Sequence, residues 1–168
     1  MRRAIWLAAL LVAACGSPTE LDDRWADPAK IAYATSLNVD LAQMNRTNSG
    51  LYWRDLTMGD GDTAKVSDQV RVHLTGWLPD GTEVQTTRGG DPVGFTVGYG
   101  AAFGIPQGVD EGVIGMRIGG IRQLVVKPSL AYGNRGYRVC DELGSCTMLV
   151  PPLTTLVYEV ERRPAIAK

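Results

Sequence analysis

The sequence predicts an α+β fold: an antiparallel sheet of five to six strands wrapped around one short helix. Three observations predict it. Short runs of alternating apolar and polar residues recur between Leu51 and Glu161, the two-residue period of strands with one buried face. Twenty glycines and nine prolines supply frequent turns, so the strands must be short. Against this background, Ile105 to Met116 carries a helical period, with Val109, Val113 and Met116 at i, i+4 and i+7.

That helical stretch organises the rest. Pro106 suits a first turn, where a missing N–H costs nothing. Asp110 and Glu111 sit early, where the helix dipole favours negative charge. Gly115 and the pair Gly119–Gly120 offer places to stop. Gly108, Gly112 and Gly115 each weaken an isolated helix by about 1 kcal/mol relative to alanine. The helix therefore forms only if a sheet packs on it, and small residues let that sheet approach closely. Val109 is expected at the meeting point.

Residues 1–14 read as a secretory signal. Arg2-Arg3 is the positive start, and the apolar run Ala4 to Ala14 is far shorter than the roughly 20 residues of a spanning helix. Val12-Ala13-Ala14-Cys15 resembles a bacterial lipobox, which implies cleavage before Cys15 and lipid on its thiol; two or three acyl chains anchor stably. An ordinary signal peptide with an incidental cysteine is the alternative. Gly16 is not the aspartate of an inner-membrane retention signal, so the outer membrane is favoured, facing the periplasm or the surface. Cleavage removes Arg2 and Arg3 and no acid, taking the net charge from −1 to −3.

Residues 15–50 then form a tether and lead-in arm. Asp27-Pro28 reads as an N-cap followed by proline. Leu37, Leu41 and Met44 fit helical spacing, while Leu37, Val39 and Leu41 equally fit alternation; a short strand or extended arm is slightly favoured. Asn45 to Gly50 reads as a loop.

The folded domain spans 51–163, with 164–168 as a tail. Leu51 to Leu56 opens the sheet. Gln69 to Leu78 is the clearest strand, with Val70, Val72 and Leu74 on one face and Arg71, His73 and Thr75 on the other. Pro79-Asp80-Gly81 turns into a return strand at Glu83 to Thr87. Val93, Phe95 and Val97 alternate as another strand, and Gly98 to Gly104 connects to the helix. Ile121 to Lys127 is a strand ending at Pro128. Ser129 to Pro152 is a long excursion. Leu156 to Glu161 closes the sheet, with Leu156, Tyr158 and Val160 on one face.

Several function classes are excluded on chemistry. The net charge of −1 with no basic run beyond Arg2-Arg3 leaves no footprint for nucleic acid. Gly59-Asp60-Gly61-Asp62 lacks the carboxylates of a calcium loop, and Gly98 to Gly104 lacks the Lys-Ser/Thr ending of a phosphate cradle. With one histidine, His73, neither a metal site nor a nucleophilic triad is expected. No cofactor is expected. With Cys15 lipidated, Cys140 and Cys146 remain in an exported protein and are expected to form a disulfide, free thiols being the alternative.

At this point the residues resemble a family. Val72-His73-Leu74-Thr75-Gly76-Trp77-Leu78-Pro79-Asp80-Gly81-Thr82-Glu83-Val84 resembles the hairpin of FKBP-type peptidyl-prolyl isomerases. Gln107-Gly108-Val109-Asp110-Glu111-Gly112-Val113 resembles that family's central helix. Leu130-Ala131-Tyr132-Gly133, followed by Pro151 to Val160, resembles its closing loop and last strand. The resemblance runs in order from about Leu51 to Arg163. Ser49-Gly50-Leu51-Tyr52 also resembles the domain opening of bacterial members.

The resemblance implies an isomerase that rotates Xaa–Pro bonds in proline-containing exported polypeptides, within an apolar pocket. It implies that Tyr132, Tyr158 and Gln85 are the catalytic positions. Leu74, Val84, Val93, Ile105, Val109, Tyr137, Leu149 and Val150 are the implied substrate-binding positions. Tyr132 stands at the family's hydrogen-bonding tyrosine and Tyr158 at its closing aromatic. Ile105 matches an aliphatic whose N–H meets the ligand. The pattern departs at other places: Leu74 replaces a tyrosine, Val84-Gln85 a Phe-Asp pair, Val93 a phenylalanine and Val109 the floor tryptophan. Tyr99 and Phe103 are candidates to refill the emptied floor. The alternative function is a catalytically weak or inactive peptide-binding module at the membrane surface.

Overall fold

The computed structural model describes residues 25–164. The signal sequence, Cys15 and the tail from 165 lie outside them. Nine strands and one α-helix follow in order: β1 (Asn45–Arg46), β2 (Tyr52–Thr57), β3 (Gln69–Trp77), β4 (Glu83–Thr86), β5 (Val93–Thr96), α1 (Gln107–Val113), β6 (Ile121–Val126), β7 (Tyr137–Cys140), β8 (Cys146–Val150) and β9 (Leu156–Arg163). Seven strands form one antiparallel sheet in the order β1-β2-β6-β9-β3-β4, with β5 also paired to β3. β4 takes Thr75 to Trp77 of β3 and β5 takes Gln69 to Val72, so the two share one edge. The sheet has seven strands rather than the expected five to six because Asn45–Arg46, read from sequence as part of a loop, pairs with β2 as a two-residue strand. β7 and β8 form a hairpin of their own within the long excursion.

The alternation read from the sequence sets which face is buried. Val70, Val72 and Leu74 of β3, Leu124 and Val126 of β6, and Leu156, Tyr158 and Val160 of β9 all face α1 and are almost fully buried. Val109, Val113 and Met116 meet them. Each such side chain contributes about 1.5–3 kcal/mol relative to leaving it in water. The helix lies close because it is small on that side. A Cβ added at Gly108 would come within 2.4 Å of Val126 Cγ1, and one at Gly112 within 2.6 Å of Leu124 Cδ1. The helix is shorter than the period suggests, ending after Val113, and the chain reverses through Gly115 at φ +79°.

The lead-in differs from the favoured strand or extended arm. Residues 25–44 hold three single 3-10 turns, at Pro28–Lys30, Thr35–Leu37 and Leu41–Gln43. Asp27 does cap the first, its Oδ1 accepting from Ala29 N at 3.1 Å. The arm packs on the outer face of the sheet, where Leu37 and Met44 cover Val125 and Val157. Polar bonds hold it there: Gln123 Nε2 donates to Leu37 O at 2.7 Å, and Thr155 N donates to Trp25 O at 2.8 Å. Leu124 to Val126 and Leu156 to Tyr158 are therefore buried on both faces.

Candidate functional site

The expected site residues arrive from seven elements and two of the connections between them. Leu74 lies on β3 and Val84 and Gln85 on β4. Val93 starts β5, and Val109 is in the first turn of α1. Tyr158 comes from β9. The fold brings Leu74, Ile105, Val109, Val150 and Tyr158 into one buried apolar cluster, against which Val84, Val93 and Tyr132 pack half-buried. Leu149, next to Val150 on β8, is half-buried.

Tyr158 sits at the bottom. It pairs with Gly76 across β3 and β9. A Cβ on Gly76 would come within 2.6 Å of its Cε1, so the missing side chain there is what admits the ring. Tyr132 lies above. Its hydroxyl donates to Gln85 Oε1 at 3.4 Å, long for an O–H···O bond and correspondingly weak. Tyr137 stacks on Tyr132 with ring centroids 4.9 Å apart. Tyr137 is 40% exposed, so this stack forms the rim. It is carried by β7, and the hairpin is closed by the Cys140–Cys146 disulfide, at an S–S distance of 2.01 Å. The pairing expected from the cysteine count is thus the one the chain makes.

The site holds little charge. Among the described residues, no group of three or more His, Cys, Asp or Glu side chains is placed to hold a metal. Gln85 is neutral. His73 lies on the other face of β3 from Leu74, with Nδ1 3.3 Å from Thr87 Oγ1. What the site offers is an apolar wall with hydroxyl and amide groups at one end.

Two features depart from the sequence reading. Tyr99 and Phe103 do not refill the floor: they are 63% and 52% exposed, on the outside of the 3-10 turn Gly100–Phe103. The Ile105 N–H does not point into an open slot, because it donates to Gly100 O at 3.1 Å. Both follow from how this loop is tied. Asp110, read from sequence as a partner of the helix dipole, is buried, and its carboxylate accepts from Gly98 N at 2.8 Å and Gly100 N at 2.9 Å. A first-turn aspartate has the same sequence signature whether it faces water or a loop, so its anchoring role was not legible.

Arg122 was also missed. It is 5% exposed on β6. Its Nη1 donates to Gly112 O at 2.9 Å and Ile114 O at 3.0 Å, satisfying carbonyls at the end of α1. Its Nε and Nη2 donate to Asp55 at 2.7 and 3.1 Å, and its guanidinium lies 4.1 Å from the Trp53 ring centroid. Arg122 thereby fixes the helix that carries Val109.

Burial raises the pKa of Tyr132, an effect the adjacent Tyr158 hydroxyl partly offsets. Burial, followed by the nearby Tyr132 hydroxyl, raises that of Tyr158 well above the ordinary tyrosine value. Burial likewise raises Tyr33, under the lead-in arm. These groups stay neutral in the folded chain above pH ~10, where the unfolded chain ionises them. Their contribution is therefore complete below pH ~10 and is lost as pH rises beyond it. In an absorbance titration, Tyr33, Tyr132 and Tyr158 are expected to ionise only together with loss of the circular-dichroism signal. Ionisation of all six tyrosines with the signal intact would contradict their burial.

Comparison with known proteins gives the same frame. Residues 61–162 match the family described as FKBP-type peptidyl-prolyl cis-trans isomerase. An FK506-binding protein of Neisseria meningitidis serogroup B is 34% identical over 113 residues, 67% of this chain and 93% of its own. The FKBP-type 22 kDa peptidyl-prolyl cis-trans isomerase of Escherichia coli is 36% identical over 119 residues, 70% of this chain and 51% of its own. Other curated relatives are longer still: the chain spans 19% of FK506-binding protein 4 of Gibberella zeae. Among solved structures, AtFKBP13 superposes with a TM-score of 0.59 at 31% identity, over 73% of this chain and 98% of that one. FkpA from Escherichia coli gives 0.56 at 32%, over 72% and 50%.

Proposed function

Because the chain belongs to the FKBP-type peptidyl-prolyl cis-trans isomerase family, we propose that it rotates Xaa–Pro bonds in proline-containing exported polypeptides. The observation that carries this reading is the apolar cluster of Leu74, Ile105, Val109, Val150 and Tyr158 with Tyr132 and Gln85 at its edge. Rotation breaks amide resonance, with a barrier of about 18–20 kcal/mol. The twisted amide is less polar than the planar one. An apolar wall that excludes water favours it over the ground state, and no acid, base or metal is needed. In this proposal Leu74, Val84, Val93, Ile105, Val109, Leu149 and Val150 supply the wall, Tyr137 the rim, and Tyr132, Gln85 and Tyr158 the polar contacts.

A second reading has specific support. Gln85 is neutral where the family has an acid, and the Ile105 donor is already engaged by Gly100 O. Such a site suits a peptide-binding module with weak or no catalysis. Refolding of a protein limited by proline isomerisation separates the two. Its slow phase lasts tens to hundreds of seconds at 25 °C. As an isomerase, the chain is expected to accelerate that phase in proportion to its concentration, far below the concentration of the substrate. Capture of the refolding chain at equal amounts with the slow phase unchanged would favour the module and overturn the isomerase reading.

We further propose that the protein works outside the cytoplasm, held to the membrane by lipid on Cys15. The sequence Val12-Ala13-Ala14-Cys15 supports this. Among the described residues, no helix is long and apolar enough to cross a membrane. Labelled fatty acid is expected to enter the protein in cells and to be lost in Cys15→Ser; labelling that persists in that variant would overturn the anchor.

A further inference from the structure

Two arginines beside the rim are left free by the fold. Arg135 lies in the turn before β7 and Arg138 on β7 itself, both exposed. Among the described residues neither makes an ion pair or a hydrogen bond. Arg88, Arg122 and Arg163, by contrast, all hold carboxylates. With Asn134, Gly136 and Pro152, the two free arginines line an open groove of about 520 Å³.

The backbone under this groove is pinned. Leu153 N donates to Gly133 O at 2.9 Å. Gly136, at φ +66°, lies so close to β8 that an added Cβ would come within 2.2 Å of Val150 O. The disulfide closes the far end of the hairpin. The acid that follows on the hairpin is committed to its tip, where Asp141 Oδ1 accepts from Leu143 N and Ser145 N at 3.0 and 2.8 Å. The groove therefore presents unneutralised positive charge from a fixed turn. Guanidinium forks match the two oxygens of a carboxylate, and the Pro152 ring gives an apolar side for the stem that carries it.

The groove adjoins the apolar site. Tyr137 turns inward to stack on Tyr132, while its chain neighbours Gly136 and Arg138 line the groove. Neighbouring Cα atoms are about 3.8 Å apart, and an extended chain advances about 3.3–3.6 Å per residue. A polypeptide with its proline in the cluster and its chain crossing the rim at Tyr137 thus reaches the groove about two to four residues away.

We propose that Arg135 and Arg138 bind a carboxylate side chain of the substrate, so that the protein selects Xaa–Pro bonds with an aspartate or glutamate about two to four residues from the proline. The proposal rests on the reading that a polypeptide occupies the apolar site. An anionic lipid surface offers similar charge, but Asp141 and Glu142 on the same hairpin oppose it, whereas a single side-chain carboxylate meets the arginines alone.

The test uses the full, disulfide-bonded chain and peptides that share one Xaa-Pro core. Glu, Gln or Lys is placed two, three or four residues from the proline on either side. Isomerisation gives kcat/KM, and calorimetry gives affinity independently of turnover. At the best position Glu should be favoured over Gln by about fivefold in both, with Lys disfavoured. The preference should fall below about twofold in 1 M salt, where the Debye length is about 3 Å. It should vanish in Arg135→Gln with Arg138→Gln and pass to the Lys peptide in Arg135→Glu with Arg138→Glu, each shown folded by circular dichroism. Turnover without preference at any position overturns the inference and leaves the isomerase reading standing. A preference that survives in the Gln variant, or in 1 M salt, overturns it by placing the selection elsewhere. Arginine-dependent binding to phosphatidylglycerol over phosphatidylcholine vesicles, with no preference among the peptides, overturns it in favour of a lipid surface. Arginine-dependent preference in affinity without turnover of any peptide upholds the groove and overturns the isomerase reading alone.

Discussion

Arg122→Ala is expected to destabilise the fold by about 3–5 kcal/mol, the range for removing one partner of a buried, hydrogen-bonded ion pair. Three losses coincide. Asp55 is left without its two bonds, the Gly112 and Ile114 carbonyls are left without their donor, and Trp53 loses the guanidinium over its ring. Total stability for a domain of this kind is about 5–15 kcal/mol, so the loss is a large fraction. A Tm lower by about 10 °C or more is the corresponding result in a thermal melt. A drop below about 2 °C would show that the ion pair is solvated and that α1 is held by packing alone. Arg122→Lys should rescue only partly, because one ammonium cannot span the carboxylate and both carbonyls.

Tyr132→Phe combined with Tyr158→Ala is expected to abolish isomerase activity. The first change removes the hydroxyl that reaches Gln85, and the second removes the bottom of the site and any donor it carries. The two residues neighbour each other, so their effects should not add. Truncating the buried Tyr158 also costs about 3–5 kcal/mol of stability. Activity must therefore be read at a temperature where circular dichroism shows the double variant folded. Activity that survives in a folded double variant would place the site elsewhere. Gly76→Ala offers a second route to the same end, since its methyl would come within 2.6 Å of Tyr158 Cε1 and displace the ring without changing any site residue's identity.

The sheet and helix were legible because each buries one face. Val70, Val72 and Leu74 alternate, and Val109, Val113 and Met116 repeat at helical spacing, so period alone fixes their direction. The lead-in was not legible, because single 3-10 turns have no period and Leu37 and Leu41 satisfy two readings at once. One sign of it was present: Leu124-Val125-Val126 and Leu156-Val157-Tyr158 are unbroken apolar runs, which half-exposed strands do not need. The covering arm accounts for Val125 and Val157.

Leu74, Ile105, Val109, Val150 and Tyr158 share one buried cluster, but the supports of that cluster were hidden. Arg122 and Asp55 lie 67 residues apart, and no local pattern announces an ion pair at that range. Gly76 reads as an ordinary strand glycine until Tyr158 is placed opposite it. Tyr99 and Phe103 were proposed from proximity along the chain, and Asp110 turns their loop outward by holding the backbone at Gly98 and Gly100.

The account stands most directly on one measurement: cis-to-trans isomerisation of short Xaa-Pro peptides with varied Xaa, followed with the intact, disulfide-bonded chain. Acceleration for at least part of the series, lost in the folded double tyrosine variant, is the predicted result. It would mean that an apolar site with a neutral glutamine in place of an acid still rotates the bond. No acceleration for any Xaa, with the chain folded, would contradict the account and leave a peptide-binding surface in its place.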